Sequence, residues 1–265
     1  MVYLALALAL LVFLSLVMGG AWAVQQRTGN SGWVDVIWTF GTGTAGAIGA
    51  LVPLGPAPFA RRLLVASLVL IWAGRLGGYI MRRTRAIPHE DARYARFRAD
   101  WGDRFAARMF GLLMIQAAVA WILVLCVMLA AANPHPLAAG WTLAGLMVFL
   151  VALAGEALAD RQMHAFRADP ANHGRVCQAG LWAWSRHPNY FFECLIWLTY
   201  PLIGLAGFWL PGLPGLLGPL FMVWLLVNVS GVPPLEREML ASRGAAYRAY
   251  QARVSPLMPL PPKRI

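Results

Sequence analysis

The sequence predicts an all-α integral membrane protein of seven transmembrane helices, with cytoplasmic amphipathic helices and loops. Three observations carry this. The chain is 60% hydrophobic and only 12% charged, far too apolar for an ordinary soluble domain. Its apolar segments recur at about the 20 residues that a helix needs to cross a bilayer, where a helix also satisfies its own backbone. Its basic residues gather in alternate connections.

The first span is expected near residues 2–24, "VYLALALALLVFLSLVMGGAWAV". It lacks the basic opening of a signal peptide, and its length suits a retained helix. Further spans are expected near 33–52, 62–81, 109–132, 138–158, 188–208 and 213–231. The Gly and Pro residues of "FGTGTAGAIGALVPLGP" and "LPGLPGLLGPL" are compatible with membrane helices, because neighbouring helices re-satisfy the backbone and small residues permit close packing. With alternating loops, Arg27, eight arginines from Arg82 to Arg108, four from Arg161 to Arg186 and six basic residues from Arg237 onward share one side. The other side holds Arg61 and Arg62. Basic loops mark the cytoplasm, so the N-terminus is expected outside and the C-terminus inside.

The net charge of +11 is therefore mostly a topology signal, with lipid headgroups and an anionic cofactor as its expected partners. Nucleic acid is not expected, since no basic face with interleaved aromatics stands apart from the membrane loops. Cys126, Cys177 and Cys194 form no CxxC pair, so neither a disulfide framework nor a zinc site is expected, nor any other metal. The two halves show no matched broken helices of transporter type. A single domain, 1–265, is the simplest reading.

Three polar elements could build a site. Residues 82–108 alternate arginines with Tyr94, Phe97, Trp101 and Phe105 at spacings of three or four, the pattern of an amphipathic interfacial helix with its aromatics toward the lipid or the bundle. In "GEALADRQMHAFRADPANHGRVCQAG", Glu156, Asp160 and His164 follow at i, i+4 and i+8, with Arg167 one turn further on. They share one face where a span leaves the bilayer, and ionisable groups there usually face a cavity or a partner. Asp-Pro and Gly turn signals should then return Asn172 and Arg175 over that face. The densest cluster is "GLWAWSRHPNYFFE", in which Pro188 suits a first helical position. Asn189, Tyr190 and Glu193 fall in the first turns, where free N–H groups favour an anion, and Arg186 and His187 add to that field. The tail from residue 232 reads as a cytoplasmic helix with Glu236, Tyr247 and Tyr250 at its ends.

These residues carry a resemblance. "EALADRQMHAFRADPANHGRVCQAGLWAWSRHPNYFFE", "SGVPPLE" and "YRAYQARVSPLMP", together with "VDVIWTFG", "LIWAGRLGGYIMRR" and "YARFRADWG", resemble a bacterial membrane protein family, domain of unknown function 1295. Residues 156–193 also resemble the C-terminal region of steroid 5-alpha-reductases. The resemblance implies a seven-helix bundle in a bacterial inner membrane that binds NADPH from the cytoplasmic side, with residues 156–254 forming most of the cofactor-binding half. It further implies reduction of an activated C=C bond in a lipophilic steroid, isoprenoid or enoyl lipid. The matching cofactor positions are Asp160, Arg167, Arg175, Asn189 and Glu193. Around them Glu156, His164, Asn172, Arg186, His187, Tyr190 and Glu236 complete the expected set.

On the acceptor side the resemblance is thinner. Registered on Arg75, the position of the steroid enzymes' tyrosine holds Trp72, whose indole donates a hydrogen bond but is no practical acid. The second span offers Asp35 and Trp38, and Tyr79 stands one turn beyond Arg75. Tyr79, Asp35 and Trp72 are the expected catalytic residues. "SRHPNY" and the tail also resemble isoprenylcysteine and phospholipid methyltransferases, which implies S-adenosylmethionine on His187, Tyr190, Glu236 and Glu238. A third reading is a non-catalytic membrane protein that binds lipid or nucleotide.

Overall fold

The computed structural model describes residues 1–53, 55–86, 92–137 and 139–263. Among them the chain is helical and forms no sheet; its one bridge pairs Ser185 with Ser255. In chain order the helices are α1 (Val2–Thr28), α2 (Gly32–Leu51), α3 (Phe59–Ala86), α4 (Ala92–Trp101), α5 (Phe105–Ala132), α6 (Ala139–Ala168), α7 (Pro188–Gly204), α8 (Leu217–Asn228) and α9 (Val232–Arg253). Five expected spans each fall on one helix; 188–208 overruns α7, which ends at Gly204, and 213–231 starts in a 3-10 segment (Leu210–Leu216) and holds only the 12-residue α8, while α4 and α9 are the amphipathic additions.

Among the described residues, five stretches are long and apolar enough to cross a membrane: Val2–Thr28, Phe59–Ala86, Tyr94–Ala132, Gly140–Ala168 and Leu210–Arg253. α2 is not among them, because its five glycines, its threonines and Asp35 dilute its hydropathy. α7 is not either, having 17 residues with Pro201 inside. The stretch ending at Arg253 has 44 residues, more than twice what a span needs. Its apolar part ends by Val229, and α9 is charged from Glu236 onward.

Two compact units emerge from the packing: residues 1–143 with 200–218, and residues 144–199 with 219–265. In the first unit α1, α2, α3 and α5 pack on one another. Small residues set that packing. A Cβ on Gly43 would overlap the Ala73 methyl, and one on Gly77 would stand 2.8 Å from the Phe40 ring. Leu14, Met18, Val34, Met109 and Leu113 fill the core.

Arg61, expected in a loop, is fully buried in this unit. Its guanidinium donates to the carbonyls of His135, Pro136 and Ile203 at 2.8–3.3 Å. Asn133 Nδ2 donates to the carbonyls of Gly204 and Ala206, both at 2.8 Å. The end of α7 leaves carbonyls that no further helical turn can satisfy, and Gly207 at φ 72° turns the backbone away there. Arg61 and Asn133 therefore cap the C-terminal end of α7 with their own donors.

In the 82–108 stretch the aromatics turn toward the bundle, one of the two surroundings expected for them. Residues 82–86 extend α3 and residues 92–101 form α4, while 87–91 lie outside the described residues. The α4 face is no lipid-facing surface alone, since Tyr94 is 3% exposed and joins the core around Met18, Ala21 and Met109. Phe97 stacks on Trp101 at 4.7 Å behind it.

In the second unit, α6 and α7 meet where a Cβ on Gly155 would enter the Phe192 ring. Trp182 Nε1 donates to the Ala159 carbonyl at 3.0 Å, and Gln162 Oε1 accepts from the Leu181 amide at 2.9 Å. The connection 180–187 is thereby fastened to α6. α9 breaks at Gly244, whose φ of 50° is not helical. Beyond this kink Tyr247, Tyr250 and Val254 pack with Val176, Met239 and Leu240.

Candidate functional site

The densest polar structure in the second unit grows from the "SRHPNY" stretch. Ser185 Oγ accepts from the His187 amide at 3.1 Å, and the His187 carbonyl accepts the first bond of α7 from Phe191 at 3.2 Å. His187 is thus a helix N-cap, with Pro188 as the first helical residue. Its ring, 5% exposed, stacks on Tyr190 at 5.5 Å between centroids and 8° between planes.

The tail closes on this stretch. Arg186 Nε donates to Glu236 Oε1 at 2.6 Å, and His187 Nε2 lies 3.3 Å from the same oxygen. Gln251 Nε2 donates to Glu236 Oε2 at 2.8 Å. A second guanidinium nitrogen of Arg186 donates to the carbonyls of Gln251 and Val254. The Ser185 hydroxyl donates to the Leu257 carbonyl at 2.8 Å, and the Arg186 amide to the Ser255 carbonyl at 2.9 Å. Tyr250 donates its buried hydroxyl to the Trp182 and Ser185 carbonyls.

Burial alone would push the Glu236 carboxyl up. The bonds from His187 and Arg186, the Arg186 charge and the Gln251 amide outweigh it and hold the group down at about 2. Burial, with the Glu236 charge acting in the same direction, pushes the phenol of Tyr247 up; burial also raises that of Tyr250.

The acids expected from helical spacing are buried as well. Glu156 is 3% exposed, Asp160 6% and Glu193 8%. Glu193 accepts a hydrogen bond from Trp197 Nε1 at 2.8 Å, one turn along α7. Asn189 is half-buried, beside Tyr190 in the first turn. His164, Arg167 and Arg175 are exposed. The loop after α6 turns on Asp169, which accepts from the Ala171 amide at 2.9 Å, and Asn172 Nδ2 donates back to the Phe166 carbonyl at 3.1 Å. Asn172 thereby holds the loop that carries Arg175 against the end of α6.

Of the expected arginines of this unit, the structure commits Arg186. Arg186 is bound to Glu236 and to two tail carbonyls, whereas Arg167 and Arg175 have no side-chain hydrogen bond or ion pair among the described residues. A guanidinium left exposed in this way can make bidentate contacts to a phosphate.

The first unit holds the other expected residues. Trp72 is fully buried, and its ring meets Trp38 edge-on at 6.4 Å. Arg75 lies over the Tyr79 ring at 5.8 Å. Asp35, in the first turn of α2, accepts a hydrogen bond from Tyr94 at 3.3 Å.

Sequence reasoning missed Gln251, Trp197 and Tyr94 as members of these groups. Trp197 stands at i+4 from Glu193, a spacing that could have revealed it. Gln251 reaches Glu236 across the Gly244 kink, and Tyr94 reaches Asp35 from 59 residues away, so no local spacing pointed to either.

The family described as protein of unknown function, DUF1295, matches residues 21–254. An uncharacterized protein of Schizosaccharomyces pombe is 30% identical over 94% of this chain and 78% of its own length. No solved structure matches the sequence significantly.

Proposed function

The chain belongs to the DUF1295 family, and from its residues we propose a membrane-bound, NADPH-dependent reductase of the steroid 5-alpha-reductase type. It acts on an activated C=C bond of a lipophilic steroid, isoprenoid or enoyl lipid. Seven spans carry it, with the N-terminus outside and the C-terminus and cofactor residues on the cytoplasmic side of a bacterial inner membrane. The observation that carries this reading is that Arg167 and Arg175 are exposed and make no side-chain hydrogen bond or ion pair among the described residues, on the unit that buries Glu156, Asp160 and Glu193. S-adenosylmethionine has no phosphate that would use them.

Arg167 and Arg175 would hold the phosphates, with His164 beside them. Asn189 and Tyr190 sit at the N-terminal turn of α7, the positive end of the helix dipole, which favours an anion. Glu193 and Asp160 would accept from ribose or amide donors, and Asn172 keeps the Arg175 loop in place. The nicotinamide supplies the hydride when bound. On the acceptor side Tyr79 would provide the proton and the Trp72 indole would donate a hydrogen bond to the substrate carbonyl, with Asp35 as the acidic member of the group, so the double bond gains one hydride and one proton. Arg186, His187 and Glu236 fasten the tail over the connection that opens α7.

One observation favours the methyltransferase-type reading. Glu236 is joined to Arg186 and His187, and His187 and Glu236 are among the residues that this resemblance assigns to S-adenosylmethionine. Parallel thermal-shift titrations of detergent-purified protein with NADPH, NADH and S-adenosylmethionine separate the two, because a ligand stabilises in proportion to its affinity for the folded state. The reductase predicts a shift with NADPH and oxidation of it by an enone. A shift with adenosylmethionine alone refutes it, and NADPH binding without turnover supports a non-catalytic protein.

A further inference from the structure

We propose that Tyr94 is a positioning residue of the acceptor side, holding the Asp35 carboxyl in its working orientation; this rests on the reductase reading. Tyr94 Oη donates to Asp35 Oδ1 at 3.3 Å. The ring is 3% exposed and packed in the core of the first unit, a place where burial needs only an apolar ring. Its neighbours on the same face, Phe97, Trp101 and Phe105, fill that need without a phenol. A buried hydroxyl costs free energy unless it finds a partner, and here it finds the carboxyl at the start of α2.

Asp35 sits three residues before Trp38, whose indole meets Trp72 edge-on. The hydroxyl of Tyr94 therefore belongs to the group of residues expected to meet the substrate carbonyl.

The test uses the full-length protein in detergent, with NADPH and two probe acceptors, a 3-oxo-4-ene steroid and a polyprenyl enal. Tyr94→Phe keeps the ring and removes only the hydroxyl. It is expected to lower kcat about tenfold while the KM for the acceptor and the NADPH thermal shift stay unchanged. Asp35→Asn is expected to lower kcat at least as far, and the double variant no further than Asp35→Asn alone, because coupled residues do not act additively. Phe97→Leu disturbs the same aromatic face without touching Asp35 and is expected to keep kcat.

Full kcat in Tyr94→Phe, multiplying losses in the double variant, or an equal loss in Phe97→Leu each overturns the role. If the unsubstituted protein neither binds nor oxidises NADPH, the reductase reading falls and the role falls with it. That outcome is seen before any substitution is made.

Discussion

Replacing Glu236 by Gln keeps the size of the side chain and removes its charge. In the native protein the carboxylate is 15% exposed and faces Arg186, itself 10% exposed, at 2.6 Å. The substitution leaves a largely buried guanidinium with carbonyl partners but no counter-charge. Breaking one partner of such a pair costs about 3–5 kcal/mol. The position of the carboxyl gives an independent figure. It lies at about 2 against an ordinary 4.5, a difference that corresponds to roughly 3 kcal/mol as an upper bound.

The same linkage fixes the pH dependence. Because folding lowers this group, its contribution is complete above pH 4.5 and is lost as the pH falls toward 2. Glu236→Gln should therefore unfold more easily at neutral pH by about 3 kcal/mol and lose less than the native protein between pH 4.5 and 2. Unfolding in detergent, followed by tryptophan fluorescence, reads both, and adding Arg186→Met to Glu236→Gln should recover part of the loss. A variant within about 0.5 kcal/mol of the native protein, with an unchanged acid limb, would refute the view that this ion pair fastens the tail.

Other outcomes follow from single side chains. Arg175→Ala should weaken NADPH binding by about 1.5–3 kcal/mol, the size of a lost charge-assisted contact, and leave adenosylmethionine affinity unaltered, both read by calorimetric titration. Arg61→Met strands the carbonyls of His135, Pro136 and Ile203 and should cost about 3 kcal/mol or more by thermal unfolding, since each buried orphan costs about 1–3 kcal/mol. Gly155→Ala drives a methyl into the Phe192 ring and should cost about 1–3 kcal/mol, with Gly155→Ala combined with Phe192→Leu recovering part of it.

The helices were legible because their signal is local. A run of apolar residues long enough to cross a bilayer has one stable backbone solution, and a helix lies within each expected span, though in 213–231 it is only the 12-residue α8. The acid stripe was legible for the same reason, as Glu156 and Asp160 stand one turn apart and both are buried. Arg61 misled because a cation between two apolar segments reads as a loop residue until the carbonyls of distant segments converge on it. The aromatic periodicity of the 82–108 stretch announced an apolar face covered by lipid or by the bundle, and the structure packs that face in the bundle.

By itself, the sequence determined the helical class, the places of the apolar segments and the clustering of polar groups around residues 156–193, since each follows from composition or from a period of 3.6. Only the tertiary structure decided which arginine is committed and which are available. It joins Arg186 to Glu236 across 50 residues and Asp35 to Tyr94 across 59, leaving Arg167 and Arg175 exposed. The physical reason is that a charge takes its role from the partner it meets, and here residues far apart in sequence supply that partner.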